Sequence, residues 1–197
     1  MAAEGNMAIC SFTTPANFFH ALRRQASPEV TIPLVVMSPK SLLRHPSVTS
    51  RVEEFTEGTF LPIIPGSPNS DDSVTKLVFC SGKVYYDFIA MLAKSDAPSD
   101  HLSICRLEQF YPFPELEIAV EIDRYTSLDS VVWLQEEPEN MGAWTFLRYR
   151  MDDLLAANGL GKRIRYAGRV PSASTATGSA IVHQAEQAAI LNAALTI

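Results

Sequence analysis

Short apolar runs alternate with segments of helical period along most of this chain, a pattern that restricts the fold to βαβ units built around a largely parallel sheet. The first unit is compact. Met7-Ala8-Ile9-Cys10 reads as a strand and Thr13-Thr14-Pro15 as a helix start with proline in the first turn. A helix over 17–25 then carries Phe18, Ala21 and Leu22 on one face, and Pro33-Leu34-Val35-Val36-Met37 supplies the next strand, ended by Ser38-Pro39. The alternation resumes at 75–80 with a strand, a Ser81-Gly82 turn, and a helix over 83–94 with Val84, Phe88, Met91 and Leu92 at helical spacing. Strands over 101–107, 130–135 and 163–167 follow, interleaved with helices from Phe113-Pro114 through 124 and over 146–157. The latter stops at Asn158-Gly159, and 179–194 forms a closing helix.

Between the two series the pattern breaks. From Arg44-His45-Pro46 to Asp72 the chain is dense in proline and polar residues, with one weak helical piece over 50–56, as expected of a linker. Residues 1–46 hold about one βαβ unit, too little to bury a core alone, whereas 72–197 supply four strands and four helices, enough for an independent domain. The expected organisation is the end of one domain over 1–46, a linker over 47–71 and a complete domain over 72–197, hence a fragment of a larger polypeptide.

With 197 residues, 47% of them hydrophobic, the chain can build one substantial core. A net charge of −6 with both signs interspersed argues against nucleic acid as a partner and against a polybasic membrane anchor. No apolar run approaches the roughly 20 residues a spanning helix needs, and Met1-Ala2-Ala3-Glu4-Gly5-Asn6 has no basic or apolar signal segment. An intracellular or organellar compartment is expected. Cys10, Cys80 and Cys105 are odd in number, lack C-x-x-C spacing, and two lie in apolar runs, so they read as buried free thiols.

The motif richest in chemistry is Trp133-Leu134-Gln135-Glu136-Glu137-Pro138-Glu139-Asn140-Met141-Gly142-Ala143-Trp144, an apolar strand running into two adjacent acids, a proline and a glycine. Ligands and partners gather at the carboxyl ends of strands in open α/β sheets. The competing account is a solvated loop and N-cap, the commoner role of such residues. Glu136 and Glu137 would transfer protons only if burial raised the pKa of one of them. Ser81-Gly82-Lys83 follows a strand and precedes a helix, where a phosphate can dock, but it lacks the longer glycine pattern of a P-loop, so a plain turn is favoured. Ser38-Pro39-Lys40-Ser41-Leu42-Leu43-Arg44-His45 suits an anionic ligand or an acidic interface, or else solvated bases. His20, His45, His101 and His183 have no metal-ligand spacing, and no nucleophile is matched to a base. The small residues of Arg165-Tyr166-Ala167-Gly168-Arg169-Val170-Pro171-Ser172-Ala173-Ser174-Thr175-Ala176-Thr177-Gly178 fit either a close backbone contact or a surface loop.

Several strings taken in order carry a resemblance: Thr14-Pro15-Ala16 with Leu22-Arg23-Arg24-Gln25, Pro33 through Pro46, and Phe79-Cys80-Ser81-Gly82-Lys83-Val84-Tyr85-Tyr86-Asp87. They continue with Arg106-Leu107-Glu108-Gln109-Phe110-Tyr111-Pro112-Phe113-Pro114, Gln135-Glu136-Glu137-Pro138 with Asn140 and Gly142-Ala143-Trp144, and Arg165-Tyr166-Ala167-Gly168-Arg169. Over nearly its whole length the chain resembles the C-terminal part of the thiamine-diphosphate-dependent decarboxylating component of 2-oxoglutarate dehydrogenase. The resemblance implies a three-layer, transketolase C-terminal-like α/β domain with a mainly parallel sheet and one antiparallel edge strand, over 72–197. It is preceded by the last βαβ piece of a pyrimidine-binding domain over 1–46.

The implied oxidoreductase decarboxylates 2-oxoglutarate on thiamine diphosphate with magnesium and passes succinyl to a lipoyl group of the dihydrolipoyl succinyltransferase component in the tricarboxylic acid cycle. It would be cytoplasmic in a bacterium and in the mitochondrial matrix in a eukaryote. The family's metal, diphosphate and substrate motifs lie upstream, so no catalytic or metal residue is carried over, no cofactor is expected on this piece alone, and the piece is expected to be inactive by itself. Its expected role is support of a homodimer, with Gln135, Glu136, Glu137, Asn140 and Trp144 at a contact and the rest of the polypeptide as its other partner. The alternatives are an anion or acyl-CoA site at Lys40, Arg44, Lys83 or Arg169, and the same region of the 2-oxoadipate-specific relative, from which Met37 through His45 leans away.

Overall fold

The computed structural model describes residues 2–95 and 98–197. Its largest unit is a five-stranded sheet in the order β3-β5-β4-β7-β8, with β3 (Ile63–Ile64), β4 (Lys76–Cys80), β5 (Leu102–Leu107), β7 (Ser130–Pro138) and β8 (Arg165–Arg169). All neighbours are parallel except β3, which runs antiparallel to β5 at the edge. The central strands read as unbroken apolar runs because both of their faces are covered. Leu77, Phe79, Val131 and Trp133 point to one side and meet α4 (Glu115–Asp123) and α5 (Trp144–Ala157) through Ile118, Ile122, Leu147, Met151 and Leu155. Val78, Cys80, Val132 and Leu134 point to the other and meet α3 (Val84–Leu92) and α6 (Ala180–Thr196) through Val84, Phe88, Ile190, Leu191 and Ala194. The result is a three-layer α/β arrangement with a mixed sheet.

The amino-terminal unit is β1 (Ala8–Cys10), α1 (Pro15–Gln25) and β2 (Leu34–Val36), with β1 and β2 parallel. Thr14 caps α1, its hydroxyl accepting from the Asn17 amide at 3.2 Å, and Pro15 opens the first turn. The third strand of this sheet comes from far along the chain: β6 (Gln109–Tyr111) lies antiparallel to β1. Three residues ended by Pro112 show no strand period, so β6 escapes sequence reading, as does the two-residue β3 between Pro62 and Pro65.

Residues 47–71, read from sequence as a linker, run as a strap that carries α2 (Val52–Thr56) and β3. Glu121 accepts from the Gly66 amide at 2.9 Å, and Arg124 grips the Gly66 carbonyl and both oxygens of Asp71, each at 2.8 Å. At the other end Asn17 holds Leu61 in both directions, donating to its carbonyl at 3.0 Å and accepting from its amide at 2.8 Å. β7 outruns its expected end at Gln135 and reaches Pro138, because the pairing with β8 shifts between Leu134 and Pro138 and leaves the proline at an irregularity.

The chain passes from the large sheet to the small one through a single residue, Glu108, between β5 and β6. Its side chain is wholly buried. The Thr13 amide donates to both carboxylate oxygens at 3.1 and 3.0 Å, the Thr13 hydroxyl donates at 2.5 Å and Asn17 Nδ2 at 3.0 Å. Its backbone carbonyl accepts from the Ser11 amide at 2.8 Å. Around it, Arg106 donates to the Thr13 hydroxyl at 3.1 Å and the Tyr86 hydroxyl to the Thr13 carbonyl at 2.6 Å. Burial pushes the Glu108 carboxyl above its ordinary pKa of 4.5, and the donors from Thr13 and Asn17 pull it partway back.

Replacing Glu108 with glutamine turns an amide toward donors that need acceptors, and about 2–4 kcal/mol of stability should be lost in urea unfolding. The pH dependence has a definite sign. Between the ordinary glutamate value of 4.5 and the raised folded value, the folded state holds a proton that the unfolded chain has released. Stability contributed by Glu108 therefore falls as pH rises through that window, and the gap between the natural chain and Glu108→Gln, which does not titrate, narrows. A gap that widens with pH would contradict this placement.

Candidate functional site

The carboxyl ends of β4, β7 and β8 converge on one polar region, and most of the residues singled out from sequence lie there or beside it. Gln135, the first polar residue of β7 past Leu134, is buried and works as a turn organiser. Its Oε1 accepts from Trp133 Nε1 at 2.8 Å and from the Trp144 amide at 3.1 Å, while Nε2 donates to the carbonyls of Glu137, Pro138 and Met141 at 3.0–3.2 Å. One side chain thus satisfies the backbone of the turn that joins β7 to α5. Gly142 completes it with φ of 65°, and a Cβ there would stand 3.0 Å from both polar atoms of Gln135.

Trp144 begins α5 and packs inward, its ring 5.0 Å from that of Tyr166. Glu136 turns the other way, toward α3 and α6. There Lys83 bridges Asp87, and it lies 2.8 Å from Glu136. Gln187 of α6 donates to Asp87 at 2.9 Å and to Glu136 at 3.0 Å. Burial alone would lower the Lys83 ammonium, but hydrogen bonds to Asp87 and Glu136 outweigh it and hold its pKa above the ordinary lysine value. Arg169 pairs with Glu186 at 2.9 Å, and the Thr177 hydroxyl donates to the same carboxylate at 2.5 Å. The region is therefore a closed set of pairs that clamps α6 over the strand ends.

The sequence candidates separate on this geometry. Gln135 and Trp144 are interior, Glu136 is ion-paired, and Glu137 and Asn140 are exposed, with Asn140 holding Ser172 of the following loop through both its amide atoms at 3.0 and 2.9 Å. Of the four bases proposed for an anion, Lys83 and Arg169 already face carboxylates. Lys40 and Arg44 lie apart, exposed on the 3-10 turn Lys40–Arg44. The Ser81-Gly82 turn abuts the amino-terminal unit, where a Cβ on Gly82 would come within 3.5 Å of the Ser11 hydroxyl.

Among the described residues no group of three His, Cys, Asp or Glu side chains could hold a metal ion, and no helix is long and apolar enough to cross a membrane. His20 Nε2 lies 2.7 Å from the Glu54 carbonyl. The three thiols are free and buried. Burial pushes Cys10 up to about 11, Cys80 up to about 12 and Cys105 well above its ordinary value, so all three stay protonated at neutral pH.

Sequence reasoning missed the Glu108, Thr13, Asn17 and Arg106 cluster as a unit. The signal available was an acid at 108 with a base at 106, both inside an apolar run, and charges are almost never fully buried without partners. The turn yields a paired test. Gly142→Ala meets both backbone strain and the Gln135 side chain, and should cost about 1–3 kcal/mol. Gly159→Ala, at φ of 75° with nothing within 4 Å, meets strain alone and should lower the thermal midpoint less. An equal or smaller loss for Gly142→Ala would contradict the role given to Gln135.

This geometry can be set beside known proteins. The family described as 2-oxoglutarate dehydrogenase C-terminal matches residues 49–195. The 2-oxoglutarate dehydrogenase E1 component of Exiguobacterium sp. is 43% identical over 201 residues, covering 100% of this chain and 21% of the relative. That of Azotobacter vinelandii is 43% identical over 199 residues, again with 100% of this chain and 21% of the relative. The mitochondrial 2-oxoglutarate dehydrogenase of Caenorhabditis briggsae is 44% identical over 188 residues, 93% of this chain and 18% of the relative. The chain spans about a fifth of the length of these relatives. Both the match to the family over most of the chain and the identity to its members place this protein in the 2-oxoglutarate dehydrogenase C-terminal family.

Proposed function

We propose that this chain is the C-terminal part of the thiamine-diphosphate-dependent decarboxylating component of 2-oxoglutarate dehydrogenase. In this reading residues 1–46 end a pyrimidine-binding domain, 47–71 link it onward, and 72–197 form a transketolase C-terminal-like domain. The observation that carries the reading is 43% identity along the whole chain to a protein named as that component. The intact enzyme decarboxylates 2-oxoglutarate and passes succinyl to lipoyl groups of the dihydrolipoyl succinyltransferase component in the tricarboxylic acid cycle. Thiamine diphosphate with magnesium supplies that chemistry when bound. Among the described residues no group of three His, Cys, Asp or Glu side chains could hold the metal, and no step of the reaction is assigned to this chain. Its part is to hold the amino-terminal βαβ unit in place and to present a surface to a second copy in a homodimer.

The activity is tested by supplying 2-oxoglutarate, thiamine diphosphate and magnesium to this chain and to the same chain joined to the polypeptide that precedes it in its relatives. The joined protein should release carbon dioxide, and faster from 2-oxoglutarate than from 2-oxoadipate, while the chain alone should release none. Release by the chain alone would contradict the reading, and a preference for 2-oxoadipate would reassign the substrate.

The dimer role is tested separately. Of the five contact candidates only Glu137 and Asn140 are exposed, so the double variant Glu137→Arg and Asn140→Arg in the joined protein should weaken dimerisation by about tenfold or more without disturbing the core. A dimer of unchanged affinity in ultracentrifugation would remove the carboxyl end of β7 from the interface.

A further inference from the structure

A cleft of about 300 Å³ lies on the α3 side of the large sheet, away from the polar region at the strand ends. Its floor is β5, which presents Leu102, Ile104 and Arg106 at a spacing of two and so on one face. One wall is the face of α3 that carries Tyr85, Ile89 and Leu92, spaced four and three apart. The strap around Pro65 and Pro68 forms the opposite wall. β3 is only two residues long: it pairs with β5 at Leu107 and Arg106, and the strap then crosses β5 closely at Gly66, where a Cβ would run into the Ser103 hydroxyl, before Ser67, Pro68 and Asn69 line the cleft.

Arg106 stands at one end of this cleft, its charge felt by the buried Glu108 carboxylate but closed into no salt bridge among the described residues. Its guanidinium lies 4.3 Å from the centre of the Tyr85 ring and donates to the Thr13 hydroxyl at 3.1 Å. The acid nearest in sequence, Glu108, has both oxygens taken by Thr13 and Asn17. Asp100, also on the cleft wall, is engaged by Asn69 at 2.9 Å. By contrast, Lys83, Arg124, Lys162 and Arg169 each reach a carboxylate within the chain. A half-buried guanidinium stacked on an aromatic ring presents a fixed fork of donors, which matches a planar carboxylate better than a flexible ammonium would. The remaining wall, of Ile89, Leu92 and Ile104, is aliphatic and suits a short apolar body.

We propose that this cleft is a binding site for a small amphipathic carboxylate, with its anionic end on Arg106 and its apolar end between Ile89, Leu92 and Ile104. The site needs only β5, α3 and the strap, so it stands or falls independently of the dehydrogenase reading. It is also separate from Lys40, Arg44, Lys83 and Arg169, none of which lines it together with Arg106.

The test uses the full polypeptide, with 4-fluorophenylacetate as probe and 2-(4-fluorophenyl)ethanol as its uncharged counterpart, both followed by fluorine NMR line broadening. The carboxylate should broaden saturably and the alcohol at least about tenfold more weakly, the worth of a charge-assisted pair. Arg106→Gln should weaken the carboxylate by a similar factor. Because that change also removes the bond to Thr13, a second variant keeps Arg106 intact: Ile89→Glu alters a residue that is 39% exposed, removes part of the aliphatic wall and sets a negative charge in the cleft, so it should weaken both probes, the carboxylate more than the alcohol. Absence of saturable broadening, equal binding of the two probes, or binding unchanged in Ile89→Glu would each overturn the proposal.

Discussion

A carboxylate sealed from water is costly unless every lone pair finds a donor, and Glu108 meets that condition only in one arrangement of the chain. Its partners, Thr13 and Asn17, sit at the start of α1, while Glu108 itself is the residue through which β5 becomes β6. The bond set therefore forces the amino-terminal βαβ unit against the large sheet and fixes the register of β6 on β1. Asn17 extends the same constraint to the strap through Leu61, so three stretches of chain remote in sequence are tied within one polar cluster.

Much of the architecture was legible in the sequence because the central strands are buried on both sides. Continuous apolar runs such as Leu77-Val78-Phe79-Cys80 and Val131-Val132-Trp133-Leu134, separated by helices of clear period, leave little freedom in fold class. Thr14-Pro15 and Asn158-Gly159 marked helix ends through local chemistry alone. What escaped was short and long-range. β3 and β6 are two and three residues long, and their existence depends on partners 44 and about 100 residues away in the chain rather than on their own pattern. The strap reads as a linker because its ties are made by Glu121, Arg124 and Asn17, side chains whose targets no local window reveals.

At the carboxyl end of β7 the sequence marked a polar stretch, and the roles its residues take in the structure depend on direction. Side chains alternate along a strand, so Gln135 turns into the core and organises the turn, whereas Glu136 turns toward α3 and α6 and answers Lys83. The same alternation on β5 separates Arg106, on the cleft side and without a salt bridge among the described residues, from Leu107 in the opposite core. Charge was thus visible from sequence and its pairing was not, because pairing is set by which face each residue takes and by what crosses it.

The central claim is that the amino-terminal unit is locked to the large sheet through Glu108. Hydrogen exchange of individual backbone amides tests it most directly, because the Ser11 and Thr13 amides donate to the Glu108 carbonyl and carboxylate while the Val78 and Val132 amides lie inside the large sheet. A single cooperative unit predicts that all four exchange with protection of the same order, through global opening. Ser11 and Thr13 exchanging orders of magnitude faster than Val78 and Val132 would show the amino-terminal unit opening on its own, and would contradict the account.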